Sequence, residues 1–294
     1  MVPPSWSTDP SERVSAHTSG LCELEANVGW RPLGSTPIIP AVSPAQRQNI
    51  EESNKRGHLS GLMTTSLKNK WALVTGASRG VGRQISLALA AEGCRLILHS
   101  RALEHTKELV GALESQTRVH AVAAELSDED AVQRLIDEAL ELSGGIDIVY
   151  NNAAIMTPWT EAHTTGPHDY RSSFEVNVIA LVRICDRLLP GMLQRKWGRI
   201  INVTSGIESI RELLPYSMSK AAVDRYVRDC APSLEGTGVV MSLLDPGWLR
   251  TDLGGSQAPN AVETVLPGAL VPAKLADDAP SGQFFNAQNY RLDR

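Results

Sequence analysis

Thr75-Gly76-Ala77-Ser78-Arg79-Gly80-Val81-Gly82 stands between the apolar run Trp71-Ala72-Leu73-Val74 and a helical pattern running from Gln84 to Glu92. Strand, glycine turn and helix in that order are what a diphosphate site requires. Backbone N–H groups must point at the anion with no Cβ in the way, and a helix N-terminus behind glycines supplies both conditions. A glycine turn can equally be a plain tight connection, so its meaning depends on what surrounds it.

Working outward, apolar runs alternate with amphipathic segments from Lys70 onward. The pattern predicts strands over 71–75, 95–99, 118–123 and 146–151, with helices over 81–92, 102–115 and 128–142. The second half repeats the theme: a long helix over 169–194, strand 199–204, helix 216–230, strand 239–244 and a short strand near Gln283-Phe284-Phe285. Short buried strands joined through helices imply right-handed crossovers, hence an α/β fold with a doubly wound parallel sheet of about seven strands covered on both faces.

Far from the glycine turn, Tyr216-Ser217-Met218-Ser219-Lys220 opens a helical segment. Four residues apart on a helix, the phenol and the ammonium project from one face. Asn151-Asn152-Ala153-Ala154 follows one strand and Ser205 ends another, Ile200-Ile201-Asn202-Val203-Thr204. These four motifs, in this order over about residues 69 to 286, resemble the short-chain dehydrogenases/reductases. The resemblance implies a single Rossmann-type domain of seven strands that interconverts a carbonyl and an alcohol by hydride transfer with a nicotinamide cofactor.

Hydride transfer to a ketone builds negative charge on the carbonyl oxygen, which must be stabilised and protonated by a positioned acid. The expected catalytic set is Ser205, Tyr216, Lys220 and Asn177. An ammonium beside a phenol favours the phenolate, so Lys220 is expected to lower the pKa of Tyr216. By resemblance Lys220 also bonds the nicotinamide ribose, and Asn177 holds a water that links Lys220 to solvent. Ser205 precedes Tyr216 by 11 positions (216 − 205), about two fewer than is common in the family, which leaves Thr204 and Ser209 as lesser candidates. The first Asn of 151–154 is expected to stabilise the sheet, and Ala154 stands where the family usually has Gly.

The second strand ends Leu98-His99-Ser100-Arg101, without the acid that would accept bonds from both ribose hydroxyls. Arg79 and Arg101 instead offer two cations for a 2′-phosphate, and the expected cofactor is NADP(H). Glu125 stands where the family's adenine contact is usually Asp. Asp245-Pro246-Gly247-Trp248-Leu249-Arg250-Thr251-Asp252 resembles the segment lining the nicotinamide pocket, with Thr251 near the carboxamide. The cofactor-binding set is then Gly76, Ser78, Arg79, Gly80, Val81, Gly82, Arg101, Asn152, Ala153, Pro246, Gly247 and Thr251, joined by Tyr216 and Lys220. Leu253-Gly254-Gly255-Ser256 reads equally as a mobile lid over the substrate or as an inert loop, and Trp159, His163 and His168 lie in a loop-rich stretch near the expected cleft.

Two other readings follow from the same residues. The Pro-Gly-Trp-Leu-Arg-Thr-Asp stretch resembles the C-factor-like branch of the family, which implies a cofactor-binding sensor or signalling protein. The cluster Arg183, Arg187, Arg195, Lys196 and Arg199 could form a basic patch for an acidic carrier, as a 3-oxoacyl-thioester reductase requires.

Composition narrows the field. With 294 residues, 42% hydrophobic and 21% charged, the chain fits the globular class. A net charge of −5 gives no basic footprint for nucleic acid, and no apolar run approaches the length of a membrane span. Cys22, Cys94, Cys185 and Cys230 are scattered without metal-ligand spacing, so reduced thiols in a cytoplasmic protein and no bound metal are expected. Residues 1–62, with Pro3, Pro4, Pro32, Pro37, Pro40 and Pro44, many Ser, Thr, Gly and Asn and no sustained period, are expected to be a disordered extension before a 63–294 domain. Met63 is a plausible start. The partners expected are a small carbonyl or alcohol substrate and further copies of the chain, as a homodimer or homotetramer through helices 169–194 and 216–230.

Overall fold

The computed structural model describes residues 65–157, 165–207 and 210–290. These lie in one compact unit, Lys55–Arg294. The expected extension over 1–62, Met63, Cys22, Trp159, His163 and Ser209 fall outside the described residues.

Seven parallel strands form one sheet: β1 (Trp71–Val74), β2 (Arg95–Ser100), β3 (Val119–Ala123), β4 (Ile148–Asn151), β5 (Gly198–Val203), β6 (Val239–Asp245) and β7 (Phe284–Asn286), in the order β3-β2-β1-β4-β5-β6-β7. Among the described residues six α-helices accompany them: α1 (Gly80–Ala91), α2 (Lys107–Leu113), α3 (Glu129–Ser143), α4 (Pro167–Phe174), α5 (Ala180–Arg195) and α6 (Leu214–Cys230). Every strand predicted from the sequence is present, with ends shifted by at most two residues.

Alternation along the strands explains the two layers. Ala72, Val74, Leu96, Leu98, Ile148 and Tyr150 face a core closed by Ile85 and Leu89 of α1 and by Leu109 and Leu113 of α2. Their neighbours Leu73, Ile97, Val149, Ile200, Met241 and Leu243 face the opposite core, against α3, α5 and α6. Each Leu, Ile, Val or Met side chain so taken out of water contributes about 1.5–3 kcal/mol, so both faces of the sheet need a covering layer of helices.

The long helix expected over 169–194 is not continuous. Glu175–Ile179 adopts π-helical geometry between α4 and α5. Asn177 sits in this wide turn and its amide is bonded to the backbone of Ile155 and to Ser219, contacts that a regular helix register has no reason to serve. The helix expected over 102–115 likewise splits into a 3₁₀ turn, Leu103–Thr106, and α2.

The chain winds from β1 out to β3, then returns to place β4 against the other side of β1. Open α/β sheets bind ligands at the carboxyl ends of strands where the order reverses, so β1 and β4 mark the expected crevice.

Candidate active site

The glycine turn leaves β1 with two residues in the left-handed region, Gly76 at φ +65 and Gly80 at φ +56. Gly82 answers a different demand: a Cβ there would lie 2.3 Å from the Gly76 carbonyl oxygen and 2.5 Å from Asn152 Nδ2. Helix α1 therefore starts hard against the turn, as close backbone approach to an anion requires. No side chain caps its first N–H groups and no acid stands in its first turn. Those donors and the helix dipole fit a diphosphate.

Asn152 and Thr75 fasten this cradle to β4. Asn152 Nδ2 donates to the carbonyls of Thr75 (2.8 Å) and Gly76 (3.2 Å). Thr75 Oγ1 accepts from the N–H groups of Asn152 and Ala153, both at 3.0 Å. Asn152, placed in the cofactor-binding set, thus spends its side chain on the turn itself. Asn151 bonds across the sheet, its Nδ2 donating to Asn202 Oδ1 at 2.9 Å, which is the sheet-stabilising role expected of it.

His99 was not singled out by its sequence, yet it buttresses the same turn. Gly76 N–H donates to Nδ1 at 3.3 Å while Nε2 pairs with the Ala124 carbonyl at 3.1 Å, so the ring is the neutral Nε2–H tautomer. Burial holds its pKa below the ordinary value. A polar residue closing the apolar run Leu96-Ile97-Leu98 was the available signal.

Tyr216 and Lys220 share one buried face of α6, with exposures of 7% and 3%. Lys220 Nζ donates to the Val203 carbonyl at 2.8 Å and lies 5.7 Å from the Tyr216 ring centroid. The expected acidification of the phenol does not hold for the protein by itself. Burial pushes Tyr216 up to about 12, Asp245 acts in the same direction, and a hydrogen bond with the Ser205 hydroxyl opposes both. Burial pulls the Lys220 ammonium down to about 8, and Asp224 partly restores it. Desolvation is the largest cause of both shifts.

The shortened stretch between Ser205 and Tyr216 still brings the two hydroxyls together. Thr204 points elsewhere, its Oγ1 donating to Asp224 Oδ1 at 2.6 Å. Asn177 accepts from Ile155 N–H at 2.8 Å and donates to the Ile155 carbonyl and Ser219 Oγ, both at 2.9 Å. Both its amide N–H groups are taken, so it fixes the segment after β4 against α6.

Pro246 and Gly247 turn the chain after β6, and Thr251 comes back against the glycine turn: a Cβ at Gly80 would lie 3.4 Å from Thr251 Cγ2. Exposed Arg79 pairs with Asp252 at 2.7 Å, bridging the turn and this segment. Arg101 is exposed just past β2, while Ser78 and Val81 are partly exposed along the cradle. Glu125 folds back to accept from Ser127 N–H and Oγ, both at 3.2 Å. His168 is exposed on the first turn of α4 beside Ser172.

The arginines of the basic cluster read from the sequence are paired with acids, while Lys196 is exposed. Arg183 pairs with Glu129, Arg187 with Asp137 and Arg195 with Asp147. Arg199 is fully buried, paired with Asp277 at 2.6 Å and stacked over Trp197. Among the described residues there is no group of side chains that could hold a metal ion, and no helix long and apolar enough to cross a membrane.

Residues 70–261 match the sequence pattern of the short-chain dehydrogenases, and the chain belongs to that family. An uncharacterized oxidoreductase of Bacillus subtilis, YvrD, is 33% identical over 63% of this chain and 70% of its own length. The 3-oxoacyl-[acyl-carrier-protein] reductase of Aquifex aeolicus is 26% identical over 76% of this chain and 87% of its own. Among solved structures, a metagenomic short-chain oxidoreductase in complex with NADP superposes with a TM-score of 0.66 at 26% identity, covering 76% of this chain and 98% of the other.

Proposed function

We propose that this oxidoreductase uses NADP(H) to interconvert a carbonyl and an alcohol, with Tyr216 as the acid and base. The observation that carries the reading is the convergence of Ser205, Tyr216 and Lys220 at the carboxyl edge of the sheet, on the same edge as a cradle shaped for a diphosphate. Gly76, Gly80 and Gly82 with the first turn of α1 would hold the diphosphate, Arg79 and Arg101 a 2′-phosphate, and Pro246, Gly247 and Thr251 the nicotinamide end. The NADP bound by the metagenomic relative supports that choice. When bound, this cofactor supplies or accepts the hydride.

The side chains do the rest. Ser205 donates a hydrogen bond to the substrate's carbonyl oxygen, and Tyr216 gives that oxygen its proton as charge develops there. A phenol held at about 12 is a reluctant acid until the developing alkoxide draws its proton, and the Lys220 ammonium then stabilises the phenolate left behind. Asp224 helps keep that ammonium charged. Asn177 acts through position, fixing Ile155 and Ser219 beside the acid.

Exposed Ile179, Leu193 and Met218 on or beside α5 and α6 support pairing of copies through those helices as a homodimer or homotetramer. The free thiols of Cys94, Cys185 and Cys230 support a reducing compartment such as the cytoplasm. The Aquifex relative favours an acyl thioester as a second substrate class, although the paired arginines offer no open basic face for a carrier.

Steady-state loss of NADPH absorbance across ketones, quinones and free or carrier-linked acyl thioesters tests the reading. The expected result is turnover with at least one carbonyl class and a preference for NADPH over NADH of about tenfold or more, as a paired phosphate contact supplies. NADPH binding without turnover on any of them would leave a sensor in its place.

A further inference from the structure

We propose that Asp245 is a positioning residue of this reaction site: its buried carboxylate ties the Ser205-Gly206 turn to the Pro246-Gly247 turn and places a negative charge in the surroundings of Tyr216. The inference rests on the carbonyl-reducing reading above and deepens it, because it assigns reduction as the direction for which the site is set.

Asp245 is the last residue of β6 and only 7% exposed, at the end of a strand otherwise made of Val, Met, Ser and Leu. Its Oδ1 accepts from Gly247 N–H at 2.8 Å and its Oδ2 from Asn286 Nδ2 at 3.3 Å. The Gly206 N–H also reaches the carboxylate, and a Cβ at Gly206 would lie 2.9 Å from Oδ2. One side chain therefore joins the turn after Ser205, the turn after β6 and the end of β7. Three N–H donors around one carboxylate favour its ionised form and oppose, in part, the burial that pushes its pKa up.

The charged and titratable groups around the pair form a pattern. Tyr216 faces Ser205 from the β5 edge, Asp245 from the β6 edge and Lys220 on its own helix. Asp245 in turn faces Asp224 of α6, whose carboxylate also acts on Lys220. The two acids divide the work: Asp224 favours the ammonium of Lys220, and Asp245 disfavours the phenolate of Tyr216. A proton thus stays on Tyr216 until a substrate oxygen with developing charge takes it, which suits carbonyl reduction and penalises alcohol oxidation near neutral pH.

Asp245→Asn keeps the shape and an acceptor oxygen while removing the charge. Ultraviolet difference titration of each protein against its own Tyr216→Phe version, without cofactor or substrate, reads phenol ionisation directly. The midpoint is expected about one pH unit lower in Asp245→Asn than in the parent. Alcohol oxidation at pH 8 should rise severalfold, and the alkaline loss of carbonyl reduction should begin at lower pH. Asp245→Ser, smaller and uncharged, should move the midpoint the same way if Asp245→Asn fails to fold. Equal midpoints in parent and variants would overturn the proposal, as would activity lost uniformly with an unmoved pH profile. A parent phenol titrating at or below its ordinary value of about 10 would overturn it without any Asp245 variant. If the midpoint moves but the parent reduces no carbonyl with NADPH, the charge coupling stands and the catalytic reading fails.

Discussion

Lys220 enters the protein as a buried ammonium, and that has a measurable effect on folding. Its pKa falls from 10.5 to about 8, so between those values the unfolded chain holds a proton that the folded chain has released, and stability rises with pH across that window. Lys220→Met should accordingly raise stability at pH 7 by about 1–2 kcal/mol, after allowing for the lost bond to Val203, with the gain fading as pH climbs from 8 towards 10.5. Thermal unfolding at several pH values checks this. A pH-independent effect would mean that the ammonium is not desolvated. Tyr216→Phe, which leaves the ring packing intact, should lower kcat by about 10²–10⁴ with little change in NADPH affinity, measured by steady-state kinetics and cofactor fluorescence. That Tyr216, Lys220 and Ser205 would lie together was legible from the Tyr-x-x-x-Lys spacing and the order of the motifs, although the interval from Ser205 is irregular. His99 and Asp245 were not: each is a single polar residue ending an apolar strand, and its partners, Gly76 and Ala124 or Gly206 and Asn286, are distant in sequence.

The glycine turn and the segment after β6 behave as coupled elements. A methyl at position 82 would meet the Gly76 carbonyl at 2.3 Å, so Gly82→Ala should shift α1 away from the turn, cost about 1–3 kcal/mol and weaken NADPH binding. Isothermal titration with denaturant unfolding reads both effects, and unchanged affinity would argue against the cradle. Asp252 competes for Arg79, the cation expected to hold a 2′-phosphate. Asp252→Asn should tighten NADPH binding a few-fold at low ionic strength, lose that advantage at high salt, and leave NADH affinity unchanged, because the pair is exposed and screened. Strand and helix positions were readable from hydrophobic period, but the π-helical turn at Glu175–Ile179 was not, since Ile155 and Ser219, which hold Asn177, lie outside its own helix.

For the molecule as a whole, alternating strand and helix patterns sufficed to give a seven-stranded parallel sheet, because strands covered on both faces are nearly continuous apolar runs. Charge distribution was not readable in the same way. The arginines of 183–199 looked like an open patch, but Glu129, Asp137, Asp147 and Asp277 come from other elements to neutralise them. Light scattering should give two or four times the 31.8 kDa chain mass, and a monomer at micromolar concentration would contradict assembly through α5 and α6. The most direct measurement of the central claim is a crystal structure grown with NADP. The expected result is the diphosphate on Gly76, Gly80 and Gly82, and a nicotinamide ring whose reactive carbon leaves room for a carbonyl within about 3–3.5 Å, under the Tyr216 and Ser205 hydroxyls. A nicotinamide ring remote from Tyr216 and Lys220 would contradict it.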